Sequence, residues 1–367
     1  MTGILKFLKR EPILSIAALA AIVSCILVPP DAAYLSYIDF RTLALLYALM
    51  VVVAGLRKAG AFEALAHLLC IRAKTARGMG ALLTAMTFFC SMLITNDVAL
   101  LTFVPFAVVL LDMSGRKQDL ILIVVLQTVA ANLGSMLTPV GNPQNLFLYS
   151  CYGLSAGDFF RITGPVWGLS LVLCLLLCLA FPAARLNVEL GEAPPPDRRK
   201  LPIYLLLFAV CLAAVFRLLP WPVMLGITAA ALLVFDRRTL LTADFLLLLT
   251  FVAFFIFAGN LARLEAVDRL LRRLLRGREY LTALLASQVI SNVPAALLLS
   301  GFTDNARELL LGVDIGGLGT PIASLASLIS LKLYSRSEGA NPGRYLAVFT
   351  IINLLLLAAL SAARRLL

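Results

Sequence analysis

Charge and histidine are what this sequence has least of. Only 14% of its 367 residues are Asp, Glu, Lys or Arg, and His67 is its single histidine. One histidine excludes a histidine-built metal cluster, and its neighbours Arg57, Lys58, Glu63, Arg72 and Lys74 suit a helix lying along a membrane surface. The seven cysteines show no Cys-x-x-Cys spacing, and Cys174 and Cys178 lie one helical turn apart in an apolar run, so neither a disulfide framework nor a zinc site is implied. No Gly-x-x-x-x-Gly-Lys-Ser/Thr loop occurs, which argues against a nucleotide-driven pump.

Apolar residues fill the chain instead. Hydrophobic types make up 61% of it, gathered in runs of about 20, the length a helix needs to cross a bilayer. The 31 Lys and Arg exceed the 20 Asp and Glu, a net charge of +11, but the basic residues stand at the ends of apolar runs. There they orient helices against the lipid surface, so the partner they imply is a bilayer and not nucleic acid. This composition predicts an all-α polytopic membrane protein that is not an enzyme.

Taken in order, Lys6, Lys9 and Arg10 precede an apolar run over 12–28 with the layout of a secretory signal, but no Ala-x-Ala site follows, which predicts an uncleaved first helix. A second span covers 41–56. The run over 79–111 is interrupted by Thr95-Asn96-Asp97 and later by Pro105, which predicts two half-length helices meeting at a polar tip, a re-entrant hairpin. The stretch 118–150 then packs Gly134, Pro139, Gly141, Pro143 and several amides into the depth where lipid should be. A helix cannot continue through it, and irregular backbone at that depth survives only where it lines a cavity. A clean span, 162–184, precedes a polar linker over 186–201 that carries Pro194, Pro195 and Pro196.

The second half repeats the order. Spans over 202–218, 223–235 and 245–262 lead to a basic arm with Arg269, Arg272, Arg273 and Arg276. A second hairpin is expected over 279–301, with Ser291-Asn292-Val293-Pro294 at its tip, then a second broken helix over 304–335 and a last span over 344–362. Setting Thr138-Pro139 on Thr320-Pro321 puts Gly134 on Gly316, Asn142 on Ser324 and Asn145 on Ser327. Two interrupted segments at matching places are the best sequence pointer to a transporter's binding site. Counting crossings makes the first repeat, 1–185, and the second, 202–367, inverted. A cytoplasmic N-terminus and a cytoplasmic linker put more Lys and Arg inside, with the arm after Arg263 as the exception, as expected of a multi-pass protein of a bacterial inner membrane.

Four polar elements then converge near the midplane. Substrate is expected at Thr95, Asn96, Thr138, Pro139, Asn142 and Asn145 of the first half and at Ser291, Asn292, Thr320, Pro321 and Ser324 of the second. Half-helix N-termini hold anions, whereas unwound carbonyls and Asn oxygens hold Na+. Cation coupling is expected of Asp97, Asn96, Gly141, Asn292, Ser327 and Asp314, with Na+ at Asn96, Asp97 and Gly141 and again at Asn292 and Thr320. Asp97 is the informative residue, because a carboxylate at mid-bilayer costs about 2.5–3.5 kcal/mol on insertion scales and marks function.

These residues also carry a family likeness. Thr138-Pro-Val-Gly141-Asn-Pro-Gln-Asn145 resembles the Thr-Pro-x-Gly-x-Pro-x-Asn signature of the divalent anion:sodium symporters, the citrate and dicarboxylate carriers. Asn96-Asp97 running to Pro105, and Asp314-Ile-Gly316 running to Thr320-Pro-Ile-Ala-Ser324, are more similar to the arsenite permeases. Over most of its length the chain resembles the ion transporter superfamily that holds both groups and a class of Na+/H+ antiporters. The likeness implies that Asn96 and Asn292 with the two Thr-Pro loops form the sodium and substrate sites, and that one domain moves against a scaffold like an elevator. The symporters end their tips in threonine; Asp97 and Val293 stand there in this chain.

The expected function is thus secondary transport of a small anion or oxyanion, dicarboxylate-, citrate- or arsenite-like, with Na+ or H+ as coupling ion and no other cofactor. A Na+/H+ antiporter of the same fold is the alternative, and an intramembrane aspartyl protease using Asp97 and Asp314 the remote one. The expected partners are the small solute and the bilayer, with a homodimer left open.

Overall fold

The computed structural model describes residues 11–70, 73–185 and 195–366. The basic residues ahead of the first span, and the linker as far as Pro194, lie outside the described residues. The described residues form helices and no strand beyond a single bridge between Thr75 and Arg185. Seven helices among them are long and apolar enough to cross a membrane.

The first half comprises α1 (Pro12–Leu27), α2 (Tyr34–Tyr37), α3 (Phe40–Lys58), α4 (Ala61–Cys70), α5 (Ala76–Ile94), α6 (Asn96–Met113), α7 (Leu120–Ser135), α8 (Pro143–Cys151) and α9 (Ala156–Leu177). The second comprises α10 (Lys200–Val215), α11 (Trp221–Phe235), α12 (Phe245–Arg263), α13 (Glu265–Leu275), α14 (Glu279–Ile290), α15 (Asn292–Leu299), α16 (Ala306–Gly316), α17 (Leu325–Tyr334) and α18 (Pro342–Ala363). Side-chain caps set several starts. Asp39 accepts from the Thr42 amide ahead of α3 and Asp244 from the Leu247 amide ahead of α12, and both aspartates have φ −78° and ψ 85°.

Helix α7 is the axis of the bundle. Every residue from Ile123 to Ser135 is buried, and Gly134 lets α5 close on it: a Cβ there would lie 2.1 Å from the Phe88 carbonyl oxygen. Its counterpart Gly316 gives α14 the same approach to α16, with a Cβ 2.9 Å from Ser287 Oγ and 3.0 Å from Leu284 Cα. Helices α9 and α18, by contrast, turn leucines and valines such as Val172, Leu176, Leu354 and Leu355 outward, as lipid-facing helices do.

The chain breaks where its prolines require it. α7 stops at Ser135 and α8 starts on Pro143; α16 stops at Gly316 and α17 starts at Leu325. One expectation needs correcting. The helices flanking Thr95 are not half-length, since α5 has 19 residues and α6 has 18. Pro105 sits inside α6 without ending it, and the buried Gln127 amide donates to the nearby Phe103 carbonyl at 3.2 Å, tying α7 to α6. The helices flanking Ser291 are short, with 12 and 8 residues.

Candidate functional site

Both polar tips adopt the same backbone. Thr95 has φ 72° and ψ 152°, and Ser291 has φ 72° and ψ 155°. Residues other than glycine avoid this region unless their surroundings hold them there. The same set of bonds holds each. The Asn96 amide donates to the Gly141 carbonyl at 3.2 Å, and the Asn292 amide to the Ala323 carbonyl at 2.9 Å. Each asparagine's side-chain oxygen accepts the next amide, Asp97 at 2.9 Å and Val293 at 3.0 Å. Thr138 Oγ1 donates to the Met92 carbonyl and Thr320 Oγ1 to the Gln288 carbonyl, the latter at 3.1 Å. Each threonine hydroxyl thus donates its proton to the backbone ahead of its tip.

Between the tips lies a small polar pocket lined by Asn96, Asp97, Gln144, Asn292 and Ser324, with Pro143, Leu247, Val293 and Leu325 as its apolar members. These residues include the first turns of α6, α8, α15 and α17, so four helix N-termini converge on one point. Their unpaired amides and aligned dipoles favour negative charge there. Asp97 opposes that field. Its Oδ1 is buried without a hydrogen-bond partner among the described residues, as are Asn142 Oδ1 and Ser327 Oγ.

A residue that sequence reasoning passed over joins the halves. Asn132 Oδ1 accepts from Asn96 Nδ2 at 3.1 Å and from Ser324 Oγ at 2.9 Å. In the Thr-Pro register Asn132 falls on Asp314, and Asp314 is reached in turn from the first half by Gln144 Nε2 at 3.3 Å. The register that pairs Gly134 with Gly316 was the signal that could have found both Asn132 and this pairing. The Asn145 side-chain amide lies between Asp314, 2.8 Å from Oδ1 and 3.2 Å from Oδ2, and the Ser135, Met136 and Thr138 carbonyls, to which its nitrogen donates at 3.4 Å. Of the remaining expected site residues, Pro139 belongs to the turn after α7, and Thr320 and Pro321 lie toward the surface, away from the pocket lining.

The pocket shares Asp97, Pro143 and Leu247 with a larger neighbour. A cavity of about 250 Å³ runs between α3 and α6, lined by Leu46, Leu49, Met50 and Arg57 of α3, by Thr95, Asp97 and Leu101, and by Thr242 and Asp244. Counted from the capping aspartates Asp39 and Asp244, Leu46, Leu49 and Met50 correspond to Phe251, Phe254 and Phe255 of α12. Those phenylalanines are buried, and Phe255 sits with its ring centroid 5.5 Å from that of Phe147 and 6.0 Å from that of Phe251.

Known proteins resemble this chain closely. The family model described as "Citrate transporter" matches residues 4–308. The Escherichia coli inner membrane protein YbiR is 33% identical over 302 residues, 81% of this chain and 80% of that protein. The uncharacterized transporter MJ0456 of Methanocaldococcus jannaschii is 32% identical over 330 residues, 89% of each chain. The rice silicon efflux transporter LSI3 is 33% identical over 151 residues, 41% of this chain and 30% of that protein.

Proposed function

Because this chain belongs to the citrate transporter family, we propose that it is a secondary active transporter that moves a small anion or oxyanion across the membrane, coupled to Na+ or H+. The observation that carries this reading is the meeting of four helix N-termini and two matched tips around one pocket, a constellation that can hold an anionic solute beside a coupling cation. The matched tip angles, the matched bonds of Asn96 and Asn292, and the matched caps of α3 and α12 support two inverted copies of one unit, 1–185 and 202–367, each with a re-entrant hairpin. The cavity beside α3, set against the filled aromatic space beside α12, supports alternating access in which the pocket is exchanged between faces, elevator fashion. Asp97, half-buried with one carboxylate oxygen buried and unpartnered among the described residues, is neutralised by the coupling ion.

The test is uptake of radiolabelled citrate, succinate, sulfate and arsenite into proteoliposomes, with and without a sodium gradient and a pH gradient. Uptake of any of them that responds to a gradient supports the reading; no gradient-driven uptake of any would overturn it.

A second reading rests on charge. The cavity beside the pocket carries Asp97 and Asp244 against one cation, Arg57, a poor reception for a multiply charged anion. That balance favours either cation/proton antiport or an uncharged oxyacid, the latter in keeping with the silicon transport for which the rice relative is named. Silicic acid efflux and Na+/H+ exchange, measured in the same vesicles, separate these from anion uptake.

A further inference from the structure

Among the described residues only three other than glycine have a positive φ. Two are the tips, Thr95 and Ser291; the third is Arg217, with φ 63°, in the loop between α10 and α11. Its amide donates to the Ala214 carbonyl at 3.2 Å and the Leu218 amide to the Ala213 carbonyl at 2.8 Å, the bond pair that closes a helix on a left-handed residue, usually glycine. Glycine holds that position after α3, α6 and α8, as Gly60, Gly115 and Gly153. A larger side chain is strained there, and strain of this kind persists where surrounding contacts hold it.

The contacts are with α8. Arg217 Nη2 donates to the Tyr149 carbonyl at 3.3 Å and Nη1 to the Gly153 carbonyl at 3.2 Å, and the guanidinium carbon lies 5.1 Å from the centroid of the Tyr149 ring. A cation in that place meets the negative end of the helix dipole, two carbonyls that suit a planar fork, and a ring face. The other end of α8 carries Pro143 and Gln144 into the pocket. A loop of the second half thus grips the far end of a helix whose start lines the pocket.

The matching end, that of α17, is held differently. In the Thr-Pro register Tyr149 falls on Leu331, whose carbonyl is served by Ser335 through its amide at 2.9 Å and its hydroxyl at 2.7 Å. Tyr152 falls on Tyr334, whose hydroxyl accepts the Asn341 amide at 2.9 Å and whose ring stacks on Tyr345 with centroids 4.8 Å apart. Those ties run from α17 to the turn and helix that follow it, whereas α8 is tied to a helix pair of the other half. We propose that Arg217 is a latch: it holds α8 in the state in which the cavity beside α3 adjoins the pocket, and releases it when the pocket is exchanged to the other face. A hold present at one of two matched ends favours one of the two states.

The latch rests on the alternating-access reading above, but its test reads accessibility and not uptake. Val293 lines the pocket. In Val293→Cys, labelling by a membrane-impermeant thiol reagent is read at residue 293 by mass spectrometry, in right-side-out and inside-out vesicles. Adding Arg217→Gly removes the grip and gives the turn the residue it prefers, so this variant is expected to fold, with a monodisperse size-exclusion profile. The ratio of labelling from the two faces is expected to shift at least threefold toward the face disfavoured in Val293→Cys alone. Arg217→Lys keeps the charge without the fork and is expected to fall between; it also serves if the glycine variant does not fold. An unchanged ratio in both variants overturns the latch, since a merely structural tie at the end of α8 would leave the sidedness of the pocket alone. Gradient-driven uptake with an unchanged ratio keeps the transporter reading and removes the latch; a shifted ratio without uptake of any test anion keeps the latch and removes the anion reading.

Discussion

Asn132 reaches across the molecule to Ser324, whose hydroxyl it accepts at 2.9 Å. The same oxygen accepts the Asn96 amide group, so one side chain links a tip of the first half to a broken helix of the second. Asn132→Ala leaves both donors buried and unpaired, at a cost of about 1–3 kcal/mol. Uptake in proteoliposomes should fall at least tenfold while size-exclusion profiles stay monodisperse; normal uptake would remove Asn132 from the site.

Gly134→Ala should be among the most damaging single changes to folding. Its Cβ would meet the Phe88 carbonyl, a backbone atom that cannot rotate away, and overpacking of that kind costs about 1–3 kcal/mol or more. Gly316→Ala meets Ser287 Oγ at 2.9 Å and the Leu284 Cα at 3.0 Å, both well beyond the Phe88 contact, and should cost less. Unfolding temperatures of the two variants in detergent give the order.

Asp97→Asn keeps the volume and removes the charge. If Asp97 is the group the coupling ion neutralises, uptake by the variant loses its dependence on the imposed ion gradient, whichever ion that is. Gradient-jump assays on variant and parent in parallel settle it, since an unchanged ion dependence assigns Asp97 to capping α6.

The aromatic cluster on α12 gives a sidedness prediction. In Val293→Cys, a membrane-impermeant thiol reagent should reach the pocket from one face only, as read at residue 293 by mass spectrometry on right-side-out and inside-out vesicles. Adding Phe255→Met, which installs the residue present at the corresponding position 50 of α3, should raise labelling from the other face several-fold. Equal labelling from both faces without that change would mean that the phenylalanines close nothing.

Much of this was legible in the chain because proline, glycine and asparagine have meaning at membrane depth that they lack elsewhere. Pro139 and Pro143 announced the break after α7, and Thr95-Asn96 and Ser291-Asn292 announced the tips, since each puts polar groups where no water can serve them. Pro105 does not end α6, which continues to Met113, because proline is tolerated inside a membrane helix packed against neighbours. The threonines of the Thr-Pro loops were legible as polar groups at the breaks, but not that both hydroxyls donate to backbone carbonyls, at Met92 and Gln288; which oxygen a hydroxyl selects is decided by packing. Asn132 looked like one more buried amide until the two halves were set in register.

Helices α9 and α18 each run 22 residues without interruption, about 33 Å of helix, which matches a hydrocarbon core of about 30 Å. Helices α10 and α11 have only 16 and 15 residues, about 23 Å. Along that flank the mismatch is met by thinner lipid, by flanking polar side chains reaching out to the interface, or by cover from a neighbouring protein; each makes the short helices the place where the surrounding membrane is most sensitive to its own thickness.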